Sequence, residues 1–262
     1  MVTTERSLQR LTPEQVRQFH ERGYLKGFRV FSEAEAAGFV RKFDDLTARL
    51  PAGVGPNYVN WWHKKNRFLY DVCTTPLLLD YVEDLLGPNF FLWGSQFFAK
   101  EAGEERIVPW HQDAQYWPLS PQHAVTAFIA FTDCLPENAC MQVVPGTHNR
   151  GILRHHTAEG DRYVLNQEID AGCFDPAEAV DLSLRAGEIS LHHDGIVHGS
   201  GPNRSDRRRI GFTMRFSSTD VKCDLSVWPT FQAFLVRGVD EYHHNPAGIP
   251  PTGDEIVTQM RP

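Results

Sequence analysis

From Arg209 to Phe216 the chain reads RIGFTMRF, a strict alternation. Successive side chains of a strand point to opposite faces. Arg209, Gly211, Thr213 and Arg215 therefore share one face, and Ile210, Phe212, Met214 and Phe216 share the other. The second set is apolar and needs a core. The first carries two guanidinium groups. Inside a barrel such a face is tenable only where it lines a polar cavity, because unpaired buried charge is costly. Arg209 is suited to grip a carboxylate as a two-pronged fork. Arg215, about 20 Å further along at about 3.3 Å per residue, is expected to pair with an acid or to reach solvent.

Two other stretches read as strands of the same core. Val125 to Asp133 puts Thr126, Phe128 and Ala130 on one face and Val125, Ala127, Ile129 and Phe131 on the other. Phe90 to Lys100 is aromatic and apolar, with Gln96 polar amid Phe91, Phe97 and Phe98. Gln96 either meets water at a strand edge or faces a polar site.

The run Trp110-His111-Gln112-Asp113 holds a pair of metal-ligating residue types two apart. On a strand, residues i and i+2 share a face, so both reach one metal. His198 stands 87 residues after His111 and must be brought in by the fold. Two imidazoles and one carboxylate are the ligand set of a non-haem Fe(II) site with open positions for oxygen and an organic cosubstrate. A second H-x-D, His192 to Asp194, is only a few residues from His198. The chain cannot cross a barrel in that interval, so His192 and His193 are read as neighbours of the site and not as ligands.

The N-terminal third is helical. Thr12-Pro13-Glu14-Gln15 and Ser32-Glu33-Ala34-Glu35 are capped helix starts, followed by apolar residues at helical spacing. Pro76 to Leu86 is a third helix, ended by Gly87-Pro88. Pro51 to Asn60 is a Gly/Pro-rich loop. The stretch Trp61 to Lys65 is either a half-buried aromatic patch with a solvated basic end or a wall of the substrate pocket. Arg150 to Ala186 is irregular and reads as a lid or binding loop, in which His155, His156 and Arg162 either contact substrate or, the preferred reading, are solvated loop residues.

Composition removes several classes of function. Hydrophobic residues make up 41%, enough for a real core. A net charge of −7 argues against a nucleic-acid surface. There is no run of 18 apolar residues to span a membrane, and the polar opening MVTTERSLQRLTPEQ lacks the apolar segment of a signal peptide. Five irregularly spaced cysteines (73, 134, 140, 173 and 223) read as reduced core thiols of a cytoplasmic protein. A homodimer stays open.

The segments WHQDAQYWPL, VTAFIAFTDCLPENACMQVVPGTH and LHHDGIVHGSGPNRSDRRRIGF, in that order, resemble the phytanoyl-CoA dioxygenase-like (PhyH) family of Fe(II)/2-oxoglutarate oxygenases. The resemblance runs from about Leu11 to about Ser217. It implies a mainly β chain with flanking helices around a double-stranded β-helix, the jelly-roll or cupin architecture. One domain is expected: N-terminal helices over about 12–87, a β-helix core over about 90–217 and a C-terminal wrapping segment over 218–262. The implied ligands of Fe(II) are His111, Asp113 and His198. The far carboxylate of 2-oxoglutarate is expected on Arg209, with Ser200 donating a hydrogen bond and Gln96, Thr126, Phe128 and Trp117 as candidate walls. His148, in the turn Pro145 to His148, is implied to be structural. O2 is the second cosubstrate, and a C–H bond of a small molecule becomes hydroxylated as succinate and CO2 leave. Related halogenases carry Ala or Gly in place of Asp113, so the carboxylate favours hydroxylation, or desaturation or ring chemistry by the same oxidant.

Candidate substrate contacts are Trp61, Trp62, Lys64 (near the cosubstrate), Tyr116, Phe98 and Arg215. Aromatic walls suit apolar bodies or quaternary amines. Two rival readings keep the ligands but not the oxygenase: a Zn- or Mn-dependent cupin isomerase or hydrolase, and a non-catalytic metal-binding sensor. Arg209 with Ser200 discriminates, since only a 2-oxo-acid user needs them.

Overall fold

The computed structural model describes residues 8–256; the first seven residues of the polar opening and residues 257–262 of the expected wrapping segment lie outside the described residues. The two predicted helix starts are formed as read. Thr12 caps Pro13–Arg22 and Ser32 caps Glu33–Ala48, each with a reciprocal capping box. Pro76–Leu86 is helical too. A short helix, Arg67–Cys73, was not anticipated; seven residues are too few to show a period, and Asn66 alone caps it.

Two antiparallel sheets face each other. The larger runs in the order Tyr24–Arg29, Glu188–His193, Ala124–Ala130, Arg209–Ser218, Phe90–Lys100, Phe234–Arg237. The smaller runs Val108–His111, Val197–Ser200, Gln142–Val144, Val180–Asp181. Together they form the jelly-roll core. No helix among the described residues is long and apolar enough to cross a membrane.

The helices cover the outer face of the larger sheet. Ile210, Phe212, Met214 and Phe216 join Val125, Ala127, Ile129 and Phe131 in one apolar cluster with Phe39, Phe43 and Leu46 of the second helix. The alternate residues of the same strands face the smaller sheet, across the space that becomes the site. Both period-two readings therefore hold. Strand Phe90–Lys100 does not keep one parity. Its pairing with Arg209–Ser218 shifts between Arg215 and Phe216, where Gly94 opposes Arg215 but Leu92 opposes Phe216. The extra residue is Trp93, and a bulge of this kind exchanges the two faces. Phe90 and Leu92 then share the core with Phe97 and Ala99, while Trp93 turns inward with Gln96 and Phe98.

Candidate metal centre

Strands Val108–His111 and Val197–Ser200 pair antiparallel with His111 directly opposite His198, and their rings lie 4.1 Å apart. This pairing is what closes the 87-residue gap. Each imidazole is oriented by the same local device. Nδ1 of His111 donates to the carbonyl of Pro109 at 2.8 Å, and Nδ1 of His198 donates to that of Ile196 at 2.9 Å. A carbonyl only accepts, so the proton is on Nδ1 and Nε2 presents its lone pair inward.

Asp113 arrives differently from the expectation. The strand ends at His111, and Asp113 is the first residue of a 3-10 turn, Asp113–Gln115. The turn is pinned from both sides. Gln112 donates to the carbonyls of Gly151 and Gly195 and accepts from the Leu153 N–H, and the Ala114 N–H donates to the Asp194 carbonyl. Oδ1 of Asp113 then lies 3.7 Å from His111 Nε2 and 4.0 Å from His198 Nε2. All three ligand atoms fall within 4.8 Å of one another. Bonds of about 2.1 Å to a divalent metal place neighbouring ligand atoms roughly 3 to 3.5 Å apart. The residues present therefore fit a metal after only a small contraction.

The charge states suit the same purpose. Burial by itself raises the Asp113 carboxyl, but the His111 and His192 imidazoles, with His198 and Arg215, outweigh it and hold Asp113 well below the usual carboxylate range. Burial, with His111 alongside, holds His198 well below the usual imidazole value. The resting forms are an anion and a neutral ring, which are the forms that bind metal.

Arg209 opens into the same inner cavity as the three ligands, together with Ser200, Phe98, Phe128, Thr213 and Met141. It is buried, donates to the carbonyls of Ala139 and Phe98, and keeps Nε without a partner. No acid pairs with it among the described residues. The hydroxyl of Ser200 is likewise buried and unpartnered. A buried cation and hydroxyl with unspent hydrogen bonds facing one cavity are a seat for a carboxylate. Gly211 makes the seat narrow: a Cβ there would stand 2.0 Å from Cζ of Phe128.

Lys100 was missed by sequence reasoning. It opposes Arg209 in the sheet, and its buried ammonium donates to the carbonyls of Arg106, Ser200 and Gly201, which fixes the end of the Ser200 strand. Burial and the Arg209 charge push it down to about 7. Its signal was present: on a strand Gln96, Phe98 and Lys100 share a face.

Several expected contacts fall elsewhere. The Thr126 hydroxyl donates to Oδ2 of Asp113 at 3.3 Å, so it braces a metal ligand and does not wall the cosubstrate. Gln96 and Trp117 line an adjoining outer cavity. There Gln96 is held by the Asn57 carbonyl and accepts from Arg215 at 3.3 Å, and the Trp117 ring lies 5.3 Å beneath the Arg215 guanidinium. Among the described residues Arg215 forms no ion pair with an acid, and it is buried from solvent, because the inner cavity reaches along its strand from Arg209 to Arg215. Trp62 is fully buried in the core against Phe97, whereas its neighbour Trp61 lines the outer cavity with Tyr116. Lys64 stays away from the cosubstrate end: its ammonium lies 4.6 Å from the centre of the Trp61 ring and donates to the Thr230 carbonyl. Phe128 lines the inner cavity, and Phe98, expected at the substrate, lines both the inner and the outer cavity.

His192 borders the inner cavity, its Nε2 3.7 Å from Asp113, and stays outside the ligand cluster. His193 pairs with Asp194, and His148 is tied to the carbonyl of His20, so both are structural. All five cysteines are free.

Comparison with known proteins agrees with this geometry. A family model described as phytanoyl-CoA dioxygenase (PhyH) matches residues 19–211. The peroxisomal phytanoyl-CoA dioxygenase of Rattus norvegicus is 28% identical over 191 residues, which cover 71% of this chain and 56% of that protein. The chain spans about half the length of the mammalian relatives it matches. Among solved structures, the non-heme monooxygenase ThoJ in its apo form superposes with a TM-score of 0.79 at 28% identity, over 91% of this chain and 89% of that one. The structure of CytC3 with Fe(II) and alpha-ketoglutarate superposes with a TM-score of 0.67 at 25% identity, over 98% of this chain and 100% of that one.

Proposed function

The chain belongs to the phytanoyl-CoA dioxygenase (PhyH) family, and from that membership we propose that it is an Fe(II)- and 2-oxoglutarate-dependent oxygenase. The reaction is hydroxylation of an unactivated C–H bond of a small organic molecule, with 2-oxoglutarate and O2 consumed and succinate and CO2 released. One observation carries this reading. A two-histidine, one-carboxylate cluster and a buried arginine with no acid partner among the described residues line a single cavity. A Zn- or Mn-dependent isomerase or hydrolase needs the first feature and has no use for the second.

His111, Asp113 and His198 would hold the metal by one face, leaving the opposite face to ligands that are not protein. Fe(II) bound there would activate O2 with electrons from the 2-oxo acid, so that O2 provides the oxidising power for the C–H bond. Arg209 meets the far carboxylate with two parallel N–H donors, and Ser200 adds a third. The ends of the cosubstrate are thereby fixed before any substrate enters. Phe98, Phe128, Val108 and Met141 keep water from the cavity between them. Thr126 fixes Asp113 by its second oxygen, so the first stays aimed at the metal.

The test is an anaerobic titration of metal-free protein with Fe(II) and then 2-oxoglutarate, watching for the weak visible charge-transfer band of a chelated 2-oxo acid. The band is expected, weakened by Arg209→Ala and lost with the metal in Asp113→Ala. Fe(II) binding with no band refutes the cosubstrate assignment. Unchanged iron binding in Asp113→Ala refutes the ligand set.

A further inference from the structure

The outer cavity holds about 630 Å3 and adjoins the inner one at Asp113, Phe98 and Arg215. That volume suits a small molecule. Four of the chain's six tryptophans line it: Trp61, Trp93, Trp117 and Trp228. They come from separate segments and pack edge to face, Trp93 on Trp117 at 4.6 Å and Trp61 on Trp228 at 6.0 Å. Trp61 is held in the left-handed backbone region, φ +59° and ψ +38°, which a bulky residue rarely adopts. Its N–H donates to the Ser95 carbonyl, and Lys64 covers its ring. Backbone in such a region persists where the surroundings enforce it, and here it aims an indole into the cavity.

The lining carries two charged groups, Asp113 and Arg215. The first belongs to the metal. Arg215 is buried, with Gln96 as its hydrogen-bond acceptor at 3.3 Å, the Trp117 face beneath it and Nε unpartnered. No carboxylate pairs with it among the described residues. Gly94 makes room for it, since a Cβ there would stand 2.9 Å from Cδ of Arg215. A guanidinium offers five N–H donors, and most of these are unused. The far carboxylate of the cosubstrate already has Arg209, and Asp113, whose charge reaches Arg215, is committed to the metal, so a second anion has a place and no further source among the described residues.

We propose that the substrate is a small molecule with a flat apolar ring body and a carboxylate, and that Arg215 receives the carboxylate beside the metal while the indoles hold the ring. This assignment rests on the oxygenase reading above. It places the oxidised C–H bond close to the carboxylate. It also disfavours a substrate that presents an ammonium group, because the cavity offers no uncommitted acid and a cation lies at its base.

The test uses the protein loaded with Fe(II) and 2-oxoglutarate under argon. Three matched probes, naphthalene-2-carboxylate, 2-naphthamide and 2-naphthylmethylammonium, are titrated while tryptophan fluorescence is followed. The carboxylate is expected to bind roughly tenfold or more tightly than the amide, as a charge-assisted pair does over a neutral one, and the ammonium weakest of all. Arg215→Gln should bring the carboxylate to the level of the amide and leave the chelate band in place. Arg215→Lys, which keeps the charge, should retain part of the preference. Equal binding of carboxylate and amide to the unaltered protein, binding of none of the three, or a preference that survives Arg215→Gln overturns the proposal. Loss of the chelate band in Arg215→Gln assigns Arg215 to a carboxylate of the cosubstrate and overturns it too. If the unaltered protein shows no band, the cosubstrate reading fails, and the ranking of the probes still decides whether Arg215 is an anion site. A Gln variant that fails to fold leaves that ranking and the Lys variant to decide.

Discussion

Arg209→Met separates what the arginine does for the cosubstrate from what it does for the fold. In the free protein Arg209 is a buried cation with no acid partner among the described residues. Exchanging a desolvated charge for an apolar chain of similar size releases up to a few kcal/mol. Against this, the carbonyls of Ala139 and Phe98 lose their donor, at about 1–3 kcal/mol each. The two effects nearly cancel, so the free variant should unfold within about 2 kcal/mol of the parent. The cosubstrate tells the other half. Truncating one partner of a buried charge pair costs about 2–5 kcal/mol, a loss of roughly 30-fold to several-thousand-fold in affinity. With 2-oxoglutarate at 100 times its dissociation constant, the parent gains about 2.7 kcal/mol. At about 2–4 °C per kcal/mol for a chain of this size, its unfolding temperature rises by about 5–11 °C. At the same concentration the variant gains less than about 1 kcal/mol, or under about 4 °C. The assay is thermal unfolding under argon, with no additions, with Fe(II), and with Fe(II) plus 2-oxoglutarate. A variant that keeps its Fe(II) shift and loses the cosubstrate shift confirms the assignment. One that keeps the full cosubstrate shift refutes it.

Three further outcomes follow from the packing and the charges. Gly211→Ala drives Phe128 into the inner cavity, so it should lower stability by about 1–3 kcal/mol and weaken 2-oxoglutarate binding while Fe(II) binding persists; unchanged titrations of both would show that the cavity is not that tight. Thr126→Val removes the brace on Asp113 and should lower metal affinity by about 10- to 100-fold, read by competition with a chelator. Burial holds His63 and His198 neutral well below the usual imidazole value. Below about pH 6.5 the unfolded chain binds protons at these rings that the folded chain refuses, so the metal-free protein should lose up to about 1.4 kcal/mol per pH unit for each. Urea unfolding at several pH values measures the slope, which His63→Asn should make shallower; a slope of the opposite sign contradicts the burial of these rings.

Much of this was legible in the chain because its cause is local. Alternation over Arg209–Phe216 and Val125–Phe131 assigned core and cavity faces correctly, since a strand's period is a property of the backbone. Capping residues placed two helices because a cap is made within four residues. The metal ligands and Arg209 were suggested by residue type and spacing together with the family resemblance, Ser200 by the resemblance alone, and the fold puts them round one cavity. What needed the tertiary structure is whatever depends on a partner strand. Trp93 faces the site, although period two counted from Gln96 sends it to the core, because a bulge opposite Arg215 exchanges the faces of its strand. Trp61 and Trp62 are alike in sequence, and only a left-handed turn at Trp61 sends one to the cavity and the other to the core. Arg215 reads along its strand as a residue far from the metal, yet it shares a cavity with Asp113, because the strand that carries it lines that cavity from Arg209 to Arg215. Local rules say which way a side chain points; only the packing of sheet against sheet says what it meets there.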